Sequence, residues 1–174
     1  LVDAVEIESL AAIFLWKHPE LNITILRPCN VLGPGVRNTL SVLLSRRLVP
    51  VLIGFSPVMQ FLHVDDMAEA IAVAFERNLP GIYNVAPDDY VAYQVAVDQC
   101  GCRRLPVPSI PPALPRLWSR ALNWNAFFPP YMIPLFKYPV IIDGRLFRER
   151  FGWKPRRSPH DIFGYYRKQK QVNP

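Results

Sequence analysis

Residues 22–35 read NITILRPCNVLGPG, and this stretch decides the fold. Its first six residues are rich in β-branched side chains and predict a β-strand. Pro28 has no N–H group to donate to a sheet, so the strand is expected to end there. The glycines and the proline at 33–35 predict a loop. Ligands bind beyond the carboxyl ends of strands in open α/β sheets, so the residues after this strand are the first site candidates.

Working outward from this strand, helices and strands alternate along the first hundred residues. Leu1 to about His18 predicts a helix, and because residues 10–16 are apolar on almost every side, we expect this helix to be buried. Further helices are predicted at 39–47, 66–77 and 90–99, and further strands at 49–53, 61–64 and 81–85. The alternation is typical of an α/β fold with a mostly parallel sheet.

Residues 106–139 interrupt the alternation with nine prolines. The aromatic residues of this stretch fit three interpretations: the lining of an apolar pocket, the packing of a small irregular subdomain, or a surface that rests on a membrane. They are Trp118, Trp124, Phe127, Phe128, Tyr131 and Phe136. A short strand is predicted at 140–142, followed by helices at 143–151 and 158–170.

Composition excludes several classes of protein. The net charge of +6 lies entirely in residues 143–174, which hold nine Lys and Arg against three Asp and Glu, so no basic working face for nucleic acid is predicted. Three cysteines are too few for a disulfide framework, and the three scattered histidines predict no metal site. No signal peptide or long apolar run is found, so a cytoplasmic protein is expected. The chain begins at Leu1 inside an apolar periodic stretch, which is typical of a fragment.

Four segments in a fixed order carry a resemblance. They are ILRPCNVLGP at 25–34, QFLHVDDMA at 60–68, GIYNVA at 81–86 and DGRLFRERFGWKP at 143–155. The first resembles the LRPxNVYGP strand end, and the second the RDFxHVDDVA segment, of the extended short-chain dehydrogenases/reductases, the NAD-dependent epimerase/dehydratase family. The chain is similar to the C-terminal part of such proteins.

The resemblance implies a fold and a division of the chain. It implies the C-terminal part of a Rossmann-like parallel-sheet domain with a small Pro- and aromatic-rich α/β substrate-binding subdomain. Residues 1–104 would hold the end of the Rossmann-like domain interleaved with substrate-domain elements, and residues 105–174 the remainder of the subdomain and the C-terminal helices. It also implies NAD or NADP, bound mainly by a missing N-terminal half, and a homodimer for the intact protein.

Two hallmarks of the family are absent from the chain. The glycine-rich turn that lets a backbone approach a pyrophosphate has no counterpart. The Tyr-x-x-x-Lys pair is expected before Leu1, so no catalytic residue is assigned here and the chain alone is expected to be inactive. A literal match at Tyr166 to Lys170 lies in the basic tail and is interpreted as coincidence.

The resemblance also implies site residues. Pro28 and Cys29 would contact the cofactor, and Asn30 would bind substrate, unless Asn30 only caps the turn. Met59 and Gln60 stand where nucleotide-sugar enzymes carry Arg-Asp. Methionine cannot pair with a diphosphate as arginine does, so a less charged, more apolar substrate is expected.

Other polar residues receive structural interpretations. Cys29 has no visible base and is expected to be inert. His63 is expected to be satisfied by packing, Asp66 with Glu69 to form a capping box, and the arginines of the tail to face solvent.

These observations predict the substrate-binding half of an NAD(P)-dependent epimerase/dehydratase or dehydrogenase that acts at a hydroxyl or carbonyl carbon of a small molecule. Two alternatives stay open: a non-catalytic, dinucleotide-sensing relative, and a reductase or dehydrogenase of a sterol-like substrate at a membrane surface. Membrane contact is the less favoured of these.

Overall fold

The computed structural model describes residues 2–108 and 130–172. Most of the aromatic stretch lies outside the described residues, including Trp118, Trp124, Phe127 and Phe128. The pocket, packing and membrane interpretations of that stretch therefore stay predictions.

Six α-helices and eight short strands make up the described residues. The helices are α1 (Val2–Lys17), α2 (Thr39–Ser45), α3 (Val64–Arg77), α4 (Tyr93–Gln99), α5 (Arg145–Phe151) and α6 (Pro159–Val172), with a 3-10 helix at Pro130–Phe136. The strands are β1 (Thr24–Pro28), β2 (Asn30–Leu32), β3 (Leu48–Leu52), β4 (Val58–Met59), β5 (Phe61–His63), β6 (Gly81–Val85), β7 (Val91–Ala92) and β8 (Arg103–Val107).

The strands pair mostly in parallel. β1 pairs with β6, β2 with β5 and β3 with β8, all parallel, and only β4 with β7 is antiparallel among the described pairs. The predicted α/β class is therefore confirmed. Parallel neighbours need a crossover connection, and α3 supplies it between β1 and β6.

Alternate residues of β1 place α1 and α3 on opposite faces of the β1–β6 pair. Leu26 packs against the apolar cluster that includes Ala70 and Ala74 of α3. The next residue, Arg27, points the other way and pairs with Glu8 of α1. Because successive side chains of a strand point to opposite faces, the two helices cover opposite sides of the same strand.

Two cores hold the chain together. The larger one, which we call the α6 core, packs α2, β3, α4, β8 and α6 around fully buried residues such as Leu44, Tyr93 and Phe163. The smaller one, which we call the β1–β6 core, packs β6, α3 and α5 around Tyr83 and Phe147. Edge-to-face contacts between aromatic rings reinforce both, as between Phe61 and Phe163 at 5.1 Å.

The prediction that α1 is buried is wrong. Its apolar residues are largely exposed, up to 82% for Trp16. The helix packs on β1 through one side, and a single strand cannot cover a helix that is apolar nearly all round. The exposed residues are Val5, Ile7, Leu10, Ile13, Phe14 and Trp16.

Three local predictions also differ from the structure. Helix α3 begins at Val64 with His63 as its N-cap, so Asp66 lies in the first turn and forms no capping box. The strand predicted at 140–142 is reduced to one bridge between Met59 and Val140. The helix predicted from residue 90 begins at Tyr93, because β7 occupies the preceding residues.

Candidate functional site

The residues after β1 lie where the sequence predicts, at the carboxyl ends of two parallel strands. Pro28 ends β1 opposite Val85 of β6. The Cys29 N–H donates to the Val85 carbonyl over 3.1 Å, which turns the chain out of the β1–β6 pair. Asn30 then begins β2 beside β5. The chain thus crosses from one strand pair to the next at this edge, the place where α/β sheets bind ligands.

Cys29 is half-buried and its thiol is not activated. Burial raises the pKa of Cys29 to about 12, and the nearby charge of Asp89 adds to the increase. A thiol rather than a thiolate is therefore present at neutral pH. This agrees with the interpretation of Cys29 as an inert, weakly polar contact.

Asn30 presents a free acceptor. Its Nδ2 donates to the Gln60 carbonyl over 3.0 Å, which fixes the plane of the carboxamide. No donor among the described residues bonds to its Oδ1. An amide oxygen can accept two hydrogen bonds, so Asn30 keeps a fixed acceptor at the strand edge.

Gln60 has little bonding capacity left for a ligand. Its Nε2 donates to the Pro87 carbonyl at 2.8 Å and to the Ile142 carbonyl at 3.1 Å. Its Oε1 accepts from the Ile142 N–H at 2.8 Å. Both amide hydrogens are used, and the residue is buried. The hydrogen bonds of Gln60 therefore link the start of β5 to the loop after β6 and to the segment before α5.

Met59 lies in the α6 core and is fully buried. It is opposite Val91 in the antiparallel β4–β7 pair and bridges to Val140 on its other side. The side chain does not line the open cleft beside the loop after β6, which is described below. A substrate contact by Met59 stays a prediction.

Arg148 and Gly144 fix the loop after β6, and Arg148 departs from the prediction that the arginines of the tail face solvent, since its side chain is only 12% exposed. Arg148 of α5 donates to the Ala86 carbonyl over 2.7 Å and pairs with Asp88. Gly144 lies so close that a Cβ there would stand 2.5 Å from the Ala86 carbonyl oxygen. No sequence signal distinguishes the largely enclosed side chain of Arg148 from its exposed neighbours in a basic run, whereas Asp-Gly before a helix is a weak hint of such close approach.

An open cleft of about 780 Å³ lies beside this loop. That volume is within the range of small-molecule sites. Most of the residues that line it have polar or charged side chains, and the Asp143 carboxylate among them has a lowered pKa because Arg145 donates to it. The lining residues include Gln60, Tyr90, Ile142, Arg145, Glu149 and Lys154.

Three other titratable residues that the sequence analysis weighed, Tyr166, Lys170 and His63, have structural partners. The Tyr166 hydroxyl accepts from the Gly33 N–H at 3.1 Å, and Lys170 donates to the carbonyls of Leu44 and Cys100. The Tyr–Lys match at 166–170 is therefore used in packing. His63 Nδ1 accepts from the Asp65 N–H at 3.1 Å and caps α3.

Asp66 has a long-range structural role. Its two carboxylate oxygens accept from the main-chain N–H groups of Arg156 and Arg157, both at 3.0 Å. These bonds tie the start of α3 to the segment between α5 and α6. The spacing Asp-x-x-Glu gave no signal for this contact.

Comparisons with known proteins agree with this arrangement. Residues 7–86 match the model of the NAD dependent epimerase/dehydratase family. An uncharacterized protein of Mycobacterium tuberculosis is 27% identical over 176 residues, covering 99% of this chain and 46% of the relative, and one from Mycobacterium bovis matches equally. The chain therefore spans about half the length of the curated relatives it matches.

Solved structures share the fold along almost the whole chain. A UDP-glucose-4-epimerase from Stenotrophomonas maltophila with bound NAD has a TM-score of 0.69 at 15% identity, over 97% of this chain and 54% of that one. A dTDP-glucose 4,6-dehydratase from Bacillus anthracis in complex with NAD has a TM-score of 0.68 at 15% identity, over 95% and 50%. RMD from Pseudomonas aeruginosa with NADPH has a TM-score of 0.67 at 14% identity, over 96% and 54%.

The strand edge at Pro28, Cys29 and Asn30 falls inside the matched segment, and the fold agrees on both sides of it. The resemblance seen in the sequence is thereby confirmed: residues 7–86 of this chain match the NAD dependent epimerase/dehydratase family, and the fold agrees with solved structures of such enzymes.

Proposed function

We propose that the chain is the substrate-binding part of an NAD(P)-dependent epimerase, dehydratase or dehydrogenase that acts at a hydroxyl or carbonyl carbon. The observation that carries this proposal is the carboxyl edge of β1 and β6. There, Cys29 and Asn30 are held in fixed positions inside the segment that matches the family.

The residues present fit one end of a dinucleotide. Pro28 is exposed, and beside it lies the half-buried, neutral thiol of Cys29, which together suit contact with a nicotinamide ring. The described residues contain no glycine-rich turn for a pyrophosphate. When bound, NAD(P) would supply or accept the hydride, and the protein would orient it.

Asn30 would orient the substrate. Its carboxamide is held by the Gln60 carbonyl, so its free Oδ1 can accept from a substrate hydroxyl without losing an internal bond. A preorganised acceptor favours binding because little conformational freedom is lost. The alternative of a simple turn cap is less well supported, since Asn30 bonds across to β5 rather than within its own turn.

The acid–base pair would come from outside the described residues. Tyr166 and Lys170 are used in packing. Lys17 is the last residue of α1, whereas the part of α1 next to the strand edge is marked by Glu8, which pairs with Arg27. The family resemblance implies that a Tyr-x-x-x-Lys pair would supply the acid and the base, and we propose that the described residues do not include it.

The preferred substrate is proposed to be less charged than a nucleotide sugar. Support comes from the sequence, in which Met59 stands where nucleotide-sugar enzymes carry an arginine, and methionine supplies no charge. Because Met59 is fully buried, Met59→Arg would place an unpaired guanidinium in the α6 core and is a poor test. A thermal-shift screen of the full-length protein with UDP sugars, dTDP sugars and aliphatic alcohols is cleaner, and strong stabilisation by the sugars alone would contradict the proposal.

A homodimer is proposed for the full-length protein, formed through α1. The exposed apolar side chains of this helix, Trp16 and Ile7 among them, support it. Sedimentation of the full-length protein as a monomer at micromolar concentration would contradict it.

The proposed function is tested by Asn30→Ala in the full-length protein. We expect turnover of its carbonyl or alcohol substrate to fall at least tenfold, since an acceptor for a substrate hydroxyl is lost, while NAD(P) affinity stays unchanged. Asn22→Ala, in the exposed loop before β1, is the matched control and should change neither. Equal loss of cofactor affinity in Asn30→Ala would contradict the division of roles.

A further inference from the structure

Three segments that are far apart in sequence meet at one end of the α6 core. Lys170 of α6 donates to the Leu44 carbonyl at 2.5 Å, near the end of α2, and to the Cys100 carbonyl at 2.9 Å, at the end of α4. The Arg103 N–H donates to the Arg47 carbonyl at 2.6 Å. The last turns of α6 therefore lie across the carboxyl ends of both shorter helices.

This junction concentrates positive charge. Arg47, Arg103, Arg167 and Lys168 are all exposed. A Cβ on Gly101 would stand 3.4 Å from Cγ of Arg167, so α6 presents that arginine beside the turn that leads to Arg103. None of the four has a salt bridge among the described residues.

The nearby acidic group is already paired. Asp98, in the last turn of α4, is bound by Arg104 in a two-pronged contact. The segments 41–47, 99–103 and 162–172 contain no Asp or Glu. Cations near helix carboxyl ends also satisfy the helix dipole, but here Lys170 bonds the carbonyls directly and leaves the arginines without that role.

Exposed aliphatic side chains border the charges. Leu48 follows Arg47 and lies opposite Arg103 in the β3–β8 pair, and it is 41% exposed. Val172 follows Lys168 by one turn of α6 and is 78% exposed. Surfaces that bind single-stranded nucleic acid combine cations with exposed aromatic rings, whereas basic residues interspersed with aliphatic ones suit a lipid headgroup layer.

We propose that this surface, formed by Arg47, Arg103, Arg167 and Lys168 with Leu48 and Val172, docks on a membrane that contains anionic lipids. Each cation close to such a membrane increases affinity about fivefold. The surface lies on the α6 core, whereas the candidate cofactor edge lies at the end of β1. The inference does not depend on the proposed function.

The test is co-sedimentation of the chain with vesicles of phosphatidylcholine, with and without phosphatidylserine. We expect binding only to the vesicles with phosphatidylserine, and weaker binding at higher salt because exposed charges are screened. The triple variant R47E/R103E/R167E should bind them at least a hundredfold more weakly. The milder R47Q/R103Q/R167Q, which guards against a folding defect, should also bind more weakly.

A control separates this surface from net charge. K17E/R77E/R150E changes three exposed cations elsewhere and, like the first variant, lowers the net charge from +6 to zero. It should keep most of the binding, because a charge more than a Debye length from the membrane is largely screened. Equal loss in both variants, no binding to either vesicle, or tighter binding to single-stranded RNA than to vesicles would overturn the proposal.

Discussion

The α6 core and the β1–β6 core differ in how completely they enclose themselves. The α6 core buries its large aromatic side chains, with Tyr93, Phe163 and Tyr166 at 1% exposure or less. Around the β1–β6 core, α1 and α3 leave large apolar side chains in solvent, Trp16 at 82% and Phe75 at 86%. The aromatic rings of the α6 core are enclosed, whereas the helices beside the β1–β6 core expose large aromatic side chains that further protein can cover.

The largest expected effect distinguishes the two regions directly. Phe163→Ala should lower the free energy of unfolding by about 3–5 kcal/mol, because it leaves a cavity where the ring meets Phe61. Phe75→Ala, the same change on α3, should cost no more than about 0.5 kcal/mol. Urea denaturation followed by fluorescence measures both. Similar losses of unfolding free energy for the two variants would contradict the difference in burial between the two regions.

The next effect concerns Gln60, whose side chain links the loop after β6 to the segment before α5 by hydrogen bonds. Gln60→Leu should cost about 3 kcal/mol, since the carbonyls of Pro87 and Ile142 lose their donor in a buried site. Gln99→Leu, on the exposed side of α4, is the control and should be nearly neutral. Hydrogen exchange at the Ile142 amide should also speed up in Gln60→Leu, because its acceptor is removed.

A smaller effect is expected at the junction of three helices. Lys170→Met keeps the aliphatic stem but removes the hydrogen bonds to Leu44 and Cys100, so stability should fall by about 2 kcal/mol. Lys168→Met, on the exposed side of α6, should change stability by less than about 0.5 kcal/mol. An equal loss in Lys168→Met would mean that charge alone, and not this bonding, matters.

The last expected effect concerns pH. Burial raises the pKa of Cys29 and of Cys100 to about 12, above the value of a free thiol near 9. Between these values the unfolded chain loses protons that the folded chain keeps, so stability should fall as pH rises through 9 and be constant below it. Denaturation midpoints between pH 7 and pH 10 measure this, and a rise in stability across that range would contradict it.

Much of the fold could be predicted from local sequence. Pro28 marks the end of β1, and the strand at Gly81–Val85 has its predicted bounds. The burial of α1 could not be predicted, since it depends on what covers the helix and not on its own pattern. The strand predicted at 140–142 is not formed, because the segment is held mainly by the side chain of Gln60 and makes only one backbone bridge to β4.

The sequence predicted where the candidate site lies, but it did not predict the contacts that hold the site in place. Cys29 and Asn30 lie at the predicted edge, and their functional roles stay predictions. The tie between Asp66 and residues 156–157, and the contact between Arg148 and Ala86, join residues 60 or more positions apart. No local pattern carries such information, because these contacts depend on tertiary packing.

The most direct test of the central claim is a titration of NADH into this 174-residue chain and into the full-length protein, followed by the fluorescence of the dinucleotide. The claim is that the β1 edge forms only the nicotinamide end of a dinucleotide site. We predict saturable micromolar binding to the full-length protein and no saturable binding to the chain alone. Micromolar binding to the chain alone, or none to the full-length protein, would contradict it.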